Sequence, residues 1–183
     1  DAGVTHPTVR SWISVLETSF IVFTAPPWLR NVRKRIVKAP KLHFIDSGVA
    51  CHLLGIRDPS QLRVHPLRGP IFESWVAGEV LKARLHRGHS ADLYHLRETR
   101  GVELDLVVED GGRLIAVEAK SGATVASDFF DSLREFLDRE PPADAARQIV
   151  GRLVYAGDTA QARGGVDVVP WRQIQRRDWA TER

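Results

Sequence analysis

Apolar and polar positions alternate most cleanly over 102–121, VELDLVVEDGGRLIAVEAKS, where two period-two runs meet at Asp110-Gly111-Gly112-Arg113. A two-glycine link between alternating runs is a β-hairpin signal. With Gly111-Gly112 as the turn, Asp110 pairs with Arg113, Asp105 faces Glu118 and Glu103 faces Lys120. The opposite face then pairs Leu104 with Ala119, Leu106 with Val117 and Val108 with Ile115. This register sorts the hairpin into an apolar face and a charged one.

The same reading extends along the chain. Thr5 as N-cap and Pro7 in the first turn predict a helix whose Val9, Ile13, Leu16 and Phe20 form a buried stripe, with Trp12 beside it. Its opposite face exposes His6, Thr8, Arg10 and Ser11, and the segment resembles the second half of a helix-turn-helix. Strands over 20–24 and 41–45 complete a wing, giving a truncated winged-helix unit at about 1–56. Asp46 caps a short helix that Gly55 closes. Residues 56–70 carry three prolines and no period, and read as a linker. A helix over 71–87 follows, with Phe72, Trp75, Val76, Glu79, Val80 and Leu85 giving an amphipathic pattern and Glu73 off that stripe. Beyond it come a strand at 93–96, the hairpin and a helix at 127–138 carrying Phe129, Phe130, Leu133, Phe136 and Leu137 inward. Pro141-Pro142 stops that helix. A strand at 148–156 buried on both faces, a strand at 166–169 and a terminal helix or tail complete the unit. That order predicts an α/β domain with a mixed central sheet over 66–183.

Composition adds an asymmetry. Residues 1–68 hold 10 Lys and Arg against 4 Asp and Glu, and the remainder 16 against 19. A basic front half suits either an anionic partner such as nucleic acid or a solvated surface. Arg10, Arg30, Arg33, Lys34, Arg35, Lys38 and Lys41 are its candidate nucleic-acid contacts. The single cysteine, Cys51, excludes an internal disulfide and fits a reducing cytoplasm. No apolar run reaches the roughly 18 residues of a membrane span. The chain lacks methionine and opens within a motif, so a preceding segment is expected. His86, His89 and His95 have no nearby cysteine to complete a zinc set and are expected on the surface or in loops.

Chemistry concentrates on the charged hairpin face. Magnesium takes oxygen ligands, usually one or two carboxylates with water and substrate phosphate. Asp105 and Glu118, opposed across two strands, would hold their Cβ atoms about 4.5–5.5 Å apart, close enough to share one Mg2+. Lys120 on the same face could position water or stabilise phosphate charge, and Glu73 could add a carboxylate. The plain alternative is a solvated strand face.

An acid on one strand and Glu-x-Lys on the next, here Leu104-Asp105-Leu106 and Val117-Glu118-Ala119-Lys120-Ser121, resembles the PD-(D/E)xK nuclease superfamily. Lys41-Leu-His-Phe-Ile-Asp-Ser-Gly, Gly69-Pro-Ile-Phe-Glu-Ser-Trp-Val and Arg97…Gly101-Val-Glu-Leu-Asp widen the match. In this order they resemble an uncharacterised domain family that forms the C-terminal part of many bacterial and archaeal AAA-type ATPases. The resemblance implies a restriction-endonuclease-like fold akin to archaeal Holliday-junction resolvases. It matches Glu73 to the helix carboxylate, Asp105 to the strand acid, and Glu118 and Lys120 to the catalytic pair. Gly101-Val102-Glu103 precedes Asp105 where a nuclease motif carries proline, so only the acid matches. No G-x-x-x-x-G-K-[ST] stretch occurs, so ATP would bind an upstream ATPase domain. The expected function is DNA binding with magnesium-dependent cleavage, or else an inactive adaptor for DNA or a protein partner. A homo-oligomer is compatible with either.

Overall fold

The computed structural model describes residues 3–28, 39–98, 101–139 and 148–180. The first helix, α1 (His6–Thr18), starts where its cap predicts: the Thr5 hydroxyl accepts the Thr8 N–H and Pro7 sits in the first turn. Strands β1 (Val22–Ala25) and β2 (Lys41–Phe44) pair antiparallel, Val22 opposite Phe44 and Ala25 opposite Lys41. The stripe on α1 is a correction. The helix buries no residue, Trp12 is 54% and Phe20 79% exposed, and β1 is its principal neighbour among the described elements. With only β1 against it among the described elements, periodicity gives an apolar face without a core.

Helix α2 (Ser47–Leu53) is capped by Asp46, whose Oδ1 accepts the Gly48 N–H at 2.7 Å. The expected linker also needs correcting, because it holds α3 (Pro59–Val64). Asp58 accepts N–H bonds from Ser60 and Gln61, and Pro59 occupies the first turn. Six residues are too few to display a helical period. Pro70 belongs to the first turn of α4 (Arg68–Leu85), where its missing N–H costs nothing. This helix is less amphipathic than predicted. Leu85 of the expected stripe is exposed while Arg84 beside it is buried, because α4 packs on the large sheet on one side and on β2 and α2 on another.

The large sheet has six strands: β3 (Leu93–Arg97), β4 (Glu103–Asp110), β5 (Arg113–Lys120), β6 (Gln148–Tyr155), β7 (Gln161–Arg163) and β8 (Val166–Pro170). Their spatial order is β3-β4-β5-β6-β8-β7. The first three strands run antiparallel, while β5, β6 and β8 run parallel. The short edge strand β7, exposed throughout, pairs antiparallel with β8. A fold of mixed α/β class with a mixed central sheet is therefore what the chain adopts.

Both sheet faces are covered. On one face Val107, Leu114 and Ala116 pack against Phe130, Leu133 and Phe136, which lie on the 3-10 turn Ser127–Phe130 and on α5 (Asp131–Arg139). On the other, Leu106, Val108, Ile115 and Val117 meet Val76, Ala77 and Val80 of α4, together with Ile174 and Trp179. Beyond β1, Trp28 N–H donates to the His95 carbonyl and His95 N–H to the Pro26 carbonyl, extending the sheet past β3. His95 is thus buried in a strand, which corrects its surface assignment. Its Nδ1 lies 3.0 Å from the Ala25 carbonyl oxygen, a contact that satisfies the ring inside the core. His86 is exposed as expected, and His89 is partly buried near Asp110.

The hairpin turns at Gly111 with φ +57°, and its ladder runs from Asp110–Arg113 to Leu106–Val117 as the pattern predicts. It departs from prediction at its open end. Tyr94 lies opposite Val107 and Leu96 opposite Leu104, so the single residue His95 spans Asp105 and Leu106. This extra residue in β4 reverses the alternation, which is what a β-bulge does beside many active sites. Leu104 accordingly joins the core of Val107, not that of Leu106. Glu103 pairs with Arg97 at 3.7 Å, while Lys120 pairs with Glu118 at 2.7 Å, correcting the expected Glu103–Lys120 pair.

Candidate active site

Three elements bring charge to the open end of the hairpin. Helix α4 supplies Glu73, β4 supplies Asp105, and β5 supplies Glu118 and Lys120. A fourth contribution comes from β2. Lys41 Nζ ion-pairs with Glu73 and lies 3.4 Å from Asp105 Oδ1. The other Asp105 oxygen accepts the Ala119 N–H at 2.9 Å. Past the bulge, a side-chain carboxylate thus occupies a backbone donor of the neighbouring strand, which holds Asp105 rigidly between β2 and β5. Lys120 Nζ donates to Glu118 Oε1 at 2.7 Å and stands 5.7 Å from the centre of the Phe129 ring.

The electrostatics are those of too many carboxylates in too little water. Burial, then the Asp105 charge, push the Glu73 carboxyl up to about 7 against the pull of Lys41. Burial and Asp105 push Glu118 up to about 7 as well, against Lys120. Glu118 is 7% exposed, and its Oε2 is buried with no hydrogen-bond partner. Such an orphaned acceptor is costly unless something else supplies positive charge. Burial pulls the Lys120 ammonium down, but Glu118 and Asp105 outweigh it and hold its pKa above the ordinary value. Lys41 is raised in the same manner, burial being outweighed by Glu73 and Asp105. Both lysines are therefore cations at neutral pH, fitted to stabilise anionic charge and not to take a proton. Glu73 and Glu118, poised near neutrality, can exchange protons.

Among the described residues no group of three or more His, Cys, Asp and Glu side chains is disposed to hold a metal. Two carboxylates suffice for magnesium, which keeps much of its water. The partnerless Glu118 oxygen and its coupling to Asp105 fit that smaller demand.

The other candidates divide. Arg10 is exposed on α1, as a nucleic-acid contact requires. Arg30, Arg33, Lys34, Arg35 and Lys38 lie outside the described residues. Lys41, read from sequence as a phosphate contact, stands among the acids instead. A signal for this was present: in β2 the alternation points Lys41 and buried His43 one way and leaves Leu42 exposed on the other. His43 sits behind the site, its Nδ1 3.3 Å from Ser74 Oγ. Burial first, then Lys41 and His95, push it down to about 4, so it is neutral.

Fold and site together define a mixed α/β domain with a buried carboxylate–lysine cluster at the splayed end of a hairpin. The chain belongs to the family described as domain of unknown function DUF4143, whose model matches residues 68–174. A second model, domain of unknown function DUF8612, matches residues 1–60. Lys41 comes from the second match and its acidic partners from the first, so the cluster draws on both. The chain is also similar to Uncharacterized protein Rv2008c of Mycobacterium tuberculosis and Uncharacterized protein Mb2031c of Mycobacterium bovis. Each is 35% identical over 121 residues, which is 66% of this chain and 26% of the relative. The chain thus spans about a quarter of the length of these curated relatives.

Proposed function

We propose that this chain is the nuclease-like, nucleic-acid-binding part of an AAA-type ATPase, and that it cleaves phosphodiesters with magnesium. The observation that carries the reading is Asp105. Its charge reaches Glu73 from α4 and Glu118 from β5, and it lies in contact with one lysine and near a second. An antiparallel hairpin leading into parallel strands supports a restriction-endonuclease-like sheet. A helix followed by a two-stranded antiparallel sheet supports a winged-helix unit ahead of it. Asp105 and Glu118 would hold the cation, which when bound supplies Lewis acidity and neutralises phosphate charge. Lys120, held as an ammonium by Glu118 and Asp105, stabilises charge developing on the phosphate. Glu73, pushed up to about 7 and not one of the two carboxylates that would hold the cation, accepts a proton from attacking water.

The test is cleavage of duplex and branched DNA with magnesium. Asp105→Ala and Lys120→Ala should each lower the rate at least about a hundred-fold. Cleavage that survives both changes removes the assignment.

One observation favours a second reading, an inactive adaptor for DNA or a protein partner. Lys41 already contacts both Glu73 and Asp105, and so supplies part of the positive charge a metal would bring. An adaptor of this kind takes up no cation at Asp105 and Glu118.

A further inference from the structure

A cavity of about 370 Å³ opens between the start of α4 and the ends of the parallel strands. Its size falls within the roughly 300–1,000 Å³ of small-molecule sites. The first residue after each of three parallel strands lines it: Ser121 after β5, Ala156 after β6 and Trp171 after β8. Open α/β sheets bind ligands outside the carboxyl ends of their parallel strands. The facing wall is the first turns of α4, with Arg68, Phe72 and Trp75.

The wall chemistry is flat and cationic. Phe72 and Trp75 stack with centroids 5.8 Å apart, and Trp75 meets Trp171 edge-on at 5.6 Å. These three rings are only partly buried. Arg172 lies over the Trp171 ring at 4.2 Å, its side chain 64% exposed. Arg68 is fixed by its bond to the Ser121 carbonyl. Among the described residues no aspartate or glutamate lines the cavity, although Arg172 Nη1 ion-pairs at 2.7 Å with Asp158 just outside it. Exposed rings flanked by guanidinium planes suit a planar heterocycle attached to an anion. The cavity adjoins the cluster along the chain at two places, Phe72 preceding Glu73 and Ser121 following Lys120.

We propose that this cavity receives one unpaired nucleotide of a nucleic-acid strand, its base among Phe72, Trp75 and Trp171 and its phosphate near Arg68 and Arg172. The inference rests on the nucleic-acid reading above and sharpens it. The substrate is then a strand with at least one splayed base next to the phosphodiester at the acidic cluster. A branch point, a nick or a single strand offers that, and an intact duplex does not. A base held this way is read by its face, so the sequence preference is weak.

Binding of a fluorescent 12-nucleotide single strand, followed by anisotropy in chelator, tests this without cleavage. Trp171→Ala should weaken binding about ten-fold, as loss of one stacked base does. Trp171→Phe, which keeps a ring and controls for folding, should stay within about three-fold. A strand of the same length that is abasic throughout should bind the native protein no better than the intact strand binds Trp171→Ala. It should lose nothing further in that variant. Equal binding of intact and abasic strands, an unaffected Trp171→Ala, or tighter binding of free adenosine monophosphate than of the strand would each overturn the proposal. The cleavage reading fails separately. Stacking that persists beside cleavage indifferent to Asp105→Ala removes the catalytic assignment and leaves the cavity. Cleavage that obeys Asp105 without a stacking effect removes the cavity alone.

Discussion

Helix α4 carries charge into the sheet at both ends, Glu73 near its start and Arg84 near its finish, and the two are accommodated differently. Arg84 is 1% exposed and its guanidinium is fully engaged. Nε donates to the Ser90 carbonyl, Nη1 to Asp110 and the Trp179 carbonyl, and Nη2 to Asp92 and the Glu109 carbonyl. One rigid fork thus ties the end of α4, the hairpin turn and the C-terminal segment together. At the other end, Glu73, Asp105 and Glu118 share Lys41 and Lys120, two carboxyls are forced up to about 7, and one buried oxygen has no partner. A buried charge met on every side is a structural device. A buried cluster short of positive charge is strained for a ligand, and perturbed carboxyls of this sort mark functional sites.

The comparison is easiest to break at Arg84. Arg84→Met removes the donor that serves Asp110, Asp92 and the carbonyls of Ser90, Glu109 and Trp179. It should cost about 3–5 kcal/mol in urea unfolding, the usual penalty for breaking a buried ion pair by removing one partner. A loss under about 1 kcal/mol would mean that the fork holds nothing together. The smallest effect is expected from Glu103→Gln. Its partner Arg97 is 72% exposed and it is itself 52% exposed, so stability should move by less than about 1 kcal/mol and cleavage not at all. A cleavage defect there would add Glu103 to the site.

How far the sequence carried the structure follows from the range of each interaction. The hairpin register was readable because Gly111-Gly112 and the period-two pattern are local, and the ladder agrees from Asp110–Arg113 to Leu106–Val117. The bulge was not, because it arises where β4 meets β3 and His95 spans two residues. Asp105, Glu118, Lys120 and Glu73 were all named as one group, and the fold brings their elements together. The place of Lys41 among the acids is not legible locally, because its partners come from residues 32 and 64 positions away. The cavity was invisible for the same reason, since Trp75 and Trp171 meet only after β6 and β8 have joined the sheet. Helix periodicity failed in the opposite direction at α1, whose apolar stripe exists but contains no buried residue among the described residues.

The central claim, that the acidic cluster is a cation site, is tested most directly by calorimetric titration of manganese into the protein at several pH values. Glu73 and Glu118 have pKa values pushed up to about 7, so below that pH the cation must displace protons from them. Affinity should therefore rise as pH increases from 6 to 8, with proton release that shrinks over the same interval. Asp105→Asn and Glu118→Gln should each abolish the heat. Absence of manganese binding at pH 8, or binding indifferent to both substitutions, would contradict the account and leave the adaptor reading in its place.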